Sequence, residues 1–144
     1  MSNTTAVNRI IDANINRAKE GLRVVEEIAR FIIQSRALTT ELKKIRHTMT
    51  SLTLDLPGKT RLLRERDSMH DIGRGIVMRE LERRHLGDIF FANIQRAKES
   101  LRVLEELSKL RSKRAAKGFK RIRYEIYGIE KRAAGKIAAL RNYR

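Results

Sequence analysis

Apolar residues recur at steps of three and four along the first part of the chain. At roughly 100° per residue these positions fall on one side of a helix, which predicts a core-facing stripe. Its members are Ile11, Ile15, Ala18, Leu22, Val25, Ala29 and Ile32. A second stripe follows at Leu42, Ile45, Met49 and Leu52. We expect the hydroxyls of residues 37–41 to cap the second helix, and Pro57-Gly58 to end it.

The second half of the chain has the same arrangement. The stripe of its first helix consists of Phe90, Ile94, Ala97, Leu101, Leu104 and Leu107. The stripe of its last helix consists of Phe119, Ile122, Ile126, Ile129, Ala133 and Ile137.

The two halves also share sequence. Residues 14–27 read NINRAKEGLRVVEE, and residues 93–106 read NIQRAKESLRVLEE. Residues 42–47 read LKKIRH, and residues 119–124 read FKRIRY. Matches of this length indicate an internal duplication, in which each half is one helical hairpin. Because one hairpin buries its apolar stripe poorly and two can pack around a pseudo-two-fold axis, we predict an antiparallel helical bundle.

The predicted fold class is therefore all-α, in a single domain over residues 1–144. The repeats are expected at about 8–56 and 88–141, with a connector at 57–87 that has no duplicate. Within the connector we predict a helical turn at 61–65 and a short helix at 76–84. Function often concentrates in polar loops such as residues 66–75 between them.

Two polar residues of the first helix interrupt its apolar side, and the second copy repeats them. Asn14 falls within the apolar arc and Arg17 on its border, and Asn93 and Arg96 take the equivalent places. A buried guanidinium is costly unless an anion or a carboxylate meets it. The pattern favours equally an anion-binding role and hydrogen bonds across the pseudo-two-fold axis that fix the helix register.

Other charged residues project mainly to the opposite side of these helices. Such a face is ordinarily a solvated, ion-paired surface. Their identity in the two copies also fits contacts with the partner hairpin, a second subunit or a ligand. The residues are Glu20, Arg23, Glu26 and Glu27, with Glu99, Arg102, Glu105 and Glu106.

The loop of residues 66–75 combines carboxylates, arginines and glycines. Asp67 and Asp71 suit Mg²⁺, while Arg66, Arg74 and the backbone at Gly73 suit phosphate oxygens. An Asp-x-x-x-Asp spacing is weak by itself, and a capped, salt-bridged loop would use the same residue types.

Composition narrows the classes of protein. The absence of cysteine excludes disulfides, thiolate metal sites and a cysteine nucleophile. No apolar run approaches the roughly 18 residues of a membrane span, so we expect a cytoplasmic protein without membrane contact. The excess of 33 Lys+Arg over 17 Asp+Glu gives a net charge of +16. Such a surface attracts polyanions, including nucleic acids, phosphorylated metabolites and ATP.

The repeated helix motif and the loop that follows Arg66 resemble the monofunctional hydroxymethylpyrimidine phosphate kinase family, whose domain is often fused to thiamine phosphate synthase. The resemblance spans nearly the whole chain. It implies transfer of the γ-phosphate of ATP to hydroxymethylpyrimidine phosphate, giving the diphosphate that thiamine phosphate synthase consumes. The chain ends at Arg144 without the barrel domain of the fused form, as a free-standing member or an excised domain would. The motifs are residues 11–31, Arg66-Asp67-Ser68, Asp71-Ile72-Gly73, residues 92–106 and residues 123–127.

Phosphoryl transfer consists mostly of positioning and charge neutralisation by Mg²⁺, Arg and Lys. On this chemistry we expect phosphate contacts in catalysis from Arg17, Arg23, Arg96 and Arg102. The residues expected to bind substrate or phosphate are Asn14, Asn93, Arg66, Arg74 and Gly73. The expected Mg²⁺ ligands are Asp67 and Asp71. The expected partners are ATP and hydroxymethylpyrimidine phosphate, with a homo-oligomer left open.

Two other functions compete with this one. A helical nucleic-acid-binding protein would explain the net charge, but it predicts a basic exposed face and gives no reason for Asn14 and Arg17 to turn inward. The second is another arginine-rich helical enzyme that acts on an anionic metabolite, as the helical chorismate mutases do. The resemblance favours the kinase over both.

Overall fold

The structure is a computed structural model that describes residues 1–75 and 78–140. Over these residues the regular structure is helical and contains no strand, which confirms the all-α prediction. The main helices are α1 (Asn3–Glu27), α2 (Arg36–Leu54), α3 (Lys59–Leu62), α4 (Leu86–Ser108) and α5 (Lys113–Leu140). A π-helical segment, Ile28–Ile33, continues α1. Short 3₁₀ turns occur at Ser68–His70 and Met78–Leu81.

The connector has less helix than the sequence predicts. One turn of helix, α3, forms close to the expected position at 61–65. The short helix expected at 76–84 is reduced to the 3₁₀ turn Met78–Leu81, and residues 76 and 77 of that prediction lie outside the described residues.

Serine hydroxyls cap the second helix of each hairpin. Ser35 accepts a hydrogen bond from the Leu38 N–H at 3.3 Å, and Ser112 accepts one from the Ala115 N–H at 3.1 Å. The prediction that a hydroxyl of residues 37–41 caps α2 is wrong. Because α2 already begins at Arg36, Thr39 lies in its first turn, and its hydroxyl donates to the Ser35 carbonyl at 2.7 Å.

One cluster of buried side chains joins α1, α2, α4 and α5. In it α1 packs along α4 and α4 along α5, while α2 contacts both α1 and α5. The predicted stripes are buried except at Leu52 and Leu107, which are half-buried against the core, and at Ile32, which is 39% exposed. The π-helical turn adds a residue to the helical repeat at this point, so Ile33 packs against the core instead.

Small residues let the first helices of the two hairpins approach closely. A Cβ added at Gly21 would lie 2.8 Å from the Asn93 carbonyl oxygen, so this contact requires glycine. Ala18 and Ala97 are fully buried, and Ser100, the equivalent of Gly21, is 3% exposed. The α1/α4 contact therefore lies near the pseudo-two-fold axis of the duplication.

In the described part of the chain, no helix is both long and apolar enough to span a bilayer.

Candidate functional site

The two asparagines of the repeated motif satisfy their amides within their own helices. The Asn14 Nδ2 donates to the Ile10 carbonyl at 2.8 Å, and the Asn93 Nδ2 donates to the Ile89 carbonyl at 2.8 Å. Asn14 is buried and Asn93 half-buried. In the described part of the chain, neither side chain makes the hydrogen bond across the axis that was one of the two expectations.

Arg17 and Arg96 lie beside these asparagines at the edge of the α1/α4 contact. Arg17 lies three residues after Asn14 and four before Gly21, so all three share one side of α1. Arg17 is half-buried, but Arg96 is exposed, so the expectation that both arginines turn inward is wrong for Arg96. Among the described residues, neither guanidinium has a hydrogen bond or an ion pair. Both cations are therefore available to an anion from outside the bundle.

Arg23 and Arg102, by contrast, already have carboxylate partners. The Arg23 Nε lies 3.2 Å from Glu27 Oε1. The Arg102 Nη1 lies 3.1 Å from Glu105 Oε2, and its Nη2 lies 3.3 Å from Glu106 Oε1. Both arginines are exposed, so a phosphate would have to compete with glutamate for them.

Of the two interpretations of the opposite face, the solvated surface does not hold at Glu26 and Glu105, each of which is only 4% exposed. Each glutamate pairs with an arginine of the second helix of its own hairpin. The Arg46 Nε lies 2.6 Å from Glu26 Oε2, and the Arg123 Nη2 lies 2.9 Å from Glu105 Oε2. The two pairs occupy equivalent positions in the duplication, so the identity of the copies here serves the packing of each hairpin.

The electrostatics of these pairs follow from their contacts. The hydrogen bond to Glu26 raises the pKa of Arg46 above its ordinary value. Burial tends to raise the pKa of Glu105, but hydrogen bonds from Arg123 and Arg102 outweigh it and hold this pKa below its ordinary value. Sequence reasoning assigned no role to Arg46 or Arg123. Their repetition in LKKIRH and FKRIRY was the available signal.

The connector is tied to the first half of α1 by polar contacts. Arg66 forms a bidentate pair with the buried Asp12, at 2.6 Å from Nε to Oδ2 and 2.8 Å from Nη2 to Oδ1. The Glu65 side chain accepts from Asn8 Nδ2 at 2.7 Å, and its backbone carbonyl accepts from Arg9 Nε at 2.9 Å. The guanidinium expected to bind phosphate at Arg66 is thus paired with a carboxylate of α1.

The two expected Mg²⁺ ligands have partners of different kinds. The Asp67 Oδ1 lies 2.7 Å from His70 Nδ1, a hydrogen bond that lowers the pKa of Asp67. The Asp71 Oδ1 accepts from the Gly73 N–H at 2.8 Å, and Arg74 donates to the Met69 carbonyl at 3.0 Å. These contacts are those of a capped, salt-bridged loop.

No group of three metal-ligating side chains converges among the residues that the structure describes. Mg²⁺ bound to a nucleotide often takes only one or two carboxylates from the protein, because phosphates and water supply the remaining ligands. Asp67 and Asp71 as Mg²⁺ ligands stay a prediction.

A cleft lies between α1 and α2 beside Arg23. Its volume is about 340 Å³. The residues that line it are Lys19, Glu20, Arg23, Arg46 and Thr50.

The structure separates the predicted residues into three places. They are an α1/α4 edge with Arg17 and Arg96, two ion-paired hairpin faces with Arg23 and Arg102, and a connector with Arg66, Asp67, Asp71, Gly73 and Arg74.

Residues 9–132 match the model of the ThiD2 family. A thiamine-phosphate synthase of Synechocystis sp. is 39% identical over 127 residues, which cover 88% of this chain and 36% of the relative. That of Rhodopirellula baltica is 37% identical over 135 residues, covering 93% and 36%. That of Gloeobacter violaceus is 38% identical over 143 residues, covering 95% and 40%. This chain therefore spans well under half the length of these relatives. No solved structure matches it. With a family match over most of its length and relatives above one-third identity, the chain belongs to the ThiD2 family.

Proposed function

We propose that this chain transfers the γ-phosphate of ATP to hydroxymethylpyrimidine phosphate, giving the pyrimidine diphosphate and ADP in thiamine biosynthesis. Family membership and the resemblance of the motifs support this activity. The similar proteins are named thiamine-phosphate synthases, and the chain matches only 36% of the Synechocystis protein. A domain that makes the diphosphate is a reasonable companion for a synthase that consumes it.

The reaction needs cations more than it needs a base. An oxygen of the acceptor phosphate attacks the γ-phosphorus, a new P–O bond forms, and the bond from that phosphorus to the β–γ bridging oxygen breaks as ADP leaves. The attacking oxygen is already ionised, so no strong base is required. The main barrier is the approach of two polyanions, which positioned cations lower.

The observation that carries the proposal is the pair of arginines at the α1/α4 edge. Arg17 and Arg96 are repeated in the duplication and have no counterion among the described residues. We assign both to phosphate oxygens, with Asn14 and Asn93 beside them. Arg23 and Arg102 have glutamate partners and are assigned a lesser share of phosphate binding.

The connector is proposed to complete the site. Asp67, which is half-buried, and Asp71, which is exposed, would hold Mg²⁺, which would shield the phosphate charges; carboxylates within reach of solvent suit a hard cation that keeps part of its water. Arg66, Arg74 and the backbone of Gly73 are proposed to contact phosphate. The Gly73 N–H and the Arg66 guanidinium would have to exchange their present partners, Asp71 and Asp12, to do so.

The test is an assay with ATP, Mg²⁺ and hydroxymethylpyrimidine phosphate, followed by mass spectrometry. We expect equal amounts of the diphosphate and ADP. The unphosphorylated alcohol should react poorly, because its hydroxyl would need a base to remove the proton. If folded protein forms no diphosphate, the proposed function is wrong.

A further inference from the structure

The two hairpins differ at the groove between their first and second helices. In the second hairpin two side chains of α5, Tyr127 and Glu130, contact the cations of this groove. The Arg123 Nη1 donates to the Tyr127 hydroxyl at 2.8 Å, and the Lys98 Nζ lies 2.8 Å from Glu130 Oε2. The same ammonium lies 5.5 Å from the centre of the Tyr127 ring. Lys98 and Arg123 therefore both have partners on α5.

The first hairpin lacks both of these side chains. Alignment of LKKIRH with FKRIRY places Thr50 at the position of Tyr127 and Thr53 at that of Glu130. The Thr50 hydroxyl donates to the Arg46 carbonyl at 3.2 Å, and the Thr53 hydroxyl donates to the Met49 carbonyl at 3.0 Å. Neither hydroxyl reaches across the groove, and the cleft of about 340 Å³ is found there.

With threonine in place of tyrosine and glutamate, two cationic donors of the first hairpin lack the partners that their equivalents have in the second. Lys19, the equivalent of Lys98, makes no hydrogen bond or ion pair with any described residue. Arg46 bonds to Glu26 through Nε and Nη2. The Arg46 Nη1 has no hydrogen bond to a described residue, whereas the Nη1 of the equivalent Arg123 donates to the Tyr127 hydroxyl. The lining also contains Arg23, paired with Glu27, and Glu20, which is exposed.

We propose that the cleft between α1 and α2 of the first hairpin binds the phosphate group of a small metabolite. Lysine and arginine are the usual ligands for phosphate oxygens, and the volume is at the lower end for small-molecule sites. We expect no equivalent site in the described part of the second hairpin, because Tyr127 and Glu130 already contact Arg123 and Lys98 there. Because Arg23 lines the cleft and also has a share of phosphate binding in the proposed kinase, the proposal rests in part on that function, but pyrophosphate binding tests it separately from catalysis.

The first experiment titrates inorganic pyrophosphate into the full chain by calorimetry at roughly 0.15 M salt. We expect one site per chain that depends on Lys19, in addition to any binding by the arginines of the α1/α4 edge. Lys19→Met should weaken binding by about tenfold or more, and the matched variant Lys98→Met should bind within about twofold of the unmodified chain. Equal losses in the two variants would show that pyrophosphate responds only to general positive charge, and the proposal would be overturned.

Exchange of the groove residues between hairpins gives a second test. Thr50→Tyr with Thr53→Glu should close the cleft and abolish the Lys19-dependent site, whereas Tyr127→Thr with Glu130→Thr should open a second cleft and add one site to the stoichiometry of the unmodified chain. Circular dichroism checks folding, and the lysine pair decides the question if an exchange variant fails to fold. Unchanged binding in the closed variant, or an unchanged stoichiometry in the opened variant, contradicts the proposal.

Competition against pyrophosphate then distinguishes the source of the phosphate group. Displacement by ADP indicates a nucleotide, and displacement by hydroxymethylpyrimidine phosphate indicates a phosphomonoester. Displacement by neither would overturn the assignment to a small metabolite.

Discussion

A buried carboxylate needs a counterion, and Glu105 has two. Arg123 approaches from α5 and Arg102 from the solvent side of α4, at 2.9 and 3.1 Å from the same Oε2. Removal of this charge leaves Arg123, whose side chain is only 12% exposed, without its carboxylate. The loss of one member of a buried pair costs more than the pair contributes, because the remaining charge stays desolvated.

Glu105→Gln should therefore lower the free energy of unfolding by about 1–3 kcal/mol, measured by urea denaturation at neutral pH. The matched control is Glu106→Gln, which removes a neighbouring carboxylate that is exposed and should leave the midpoint nearly unchanged. Equal effects of the two variants would contradict the structural role of Glu105.

The Glu105 ion pair also predicts how the stability of the protein changes at acid pH. Because the pKa of Glu105 is lower in the folded protein than the ordinary value of 4.5, the unfolded chain binds the proton more readily. The contribution of Glu105 is present above pH 4.5 and is lost as the pH falls below it. Denaturation at a series of pH values should show a shallower acid loss in Glu105→Gln than in the unmodified chain.

Arg17 and Arg96 allow catalysis to be separated from folding. Arg17→Met and Arg96→Met should each reduce kcat/KM by about tenfold or more at an unchanged melting temperature, because neither guanidinium has a hydrogen bond or ion pair with a described residue. The control is Arg121→Met on α5, an exposed arginine that removes the same net charge. If the two variants keep normal turnover, the site lies elsewhere, even if the kinase assignment survives.

The proposed Mg²⁺ ligands are tested by substitutions that remove charge and keep size. Asp67→Asn or Asp71→Asn should lower kcat by about a hundredfold and raise the Mg²⁺ concentration that gives half-maximal rate. Asp55→Asn, at the C-terminal end of α2, is the control. A lower rate with an unchanged Mg²⁺ dependence would assign these carboxylates to the loop structure instead.

At the scale of elements, the contact between α1 and α4 holds the two hairpins together. Gly21→Ala would place a methyl group 2.8 Å from the Asn93 carbonyl, and backbone cannot move aside as a flexible side chain can. We expect a loss of about 1–3 kcal/mol in the free energy of unfolding. The control is Gly128→Ala on the exposed side of α5, where no atom lies within 4 Å of the new Cβ. It should stabilise the protein by about 0.5–1 kcal/mol. If both variants are stabilised equally, the close approach of α1 and α4 is wrong.

Periodicity predicted the four long helices because their apolar stripes are nearly unbroken. It failed at Ile32, since apolar spacing does not reveal where a π-helical turn changes the register. It also failed at Glu26 and Glu105. A helical projection places a residue around its own axis, but it does not show that a neighbouring helix covers that angle or supplies an arginine there.

At the scale of the whole molecule, the candidate site was harder to predict than the fold. In the repeats each residue can be compared with its equivalent in the other copy. The connector has no duplicate, so no such comparison shows which of its contacts are structural. Its Asp12–Arg66 pair joins residues far apart in sequence, and no local pattern predicts it. Arg17 and Arg23 are similar in sequence terms, and only the carboxylates around them distinguish an available guanidinium from an occupied one.

The net charge of +16 gives the last prediction, which separates the kinase from a nucleic-acid-binding protein. Several of its basic residues are bound in ion pairs between elements, such as Arg46 with Glu26 and Arg132 with Glu41. The remainder should bind duplex DNA only through phosphates, with a dissociation constant of roughly 10⁻⁴ to 10⁻⁶ M at physiological salt and a steep loss as salt rises. Fluorescence anisotropy with two duplexes of unrelated sequence, each at two salt concentrations, measures this. Because contacts to phosphates carry no sequence information, the two duplexes should give the same affinity. Tight binding that discriminates between them would make nucleic acid the better candidate partner.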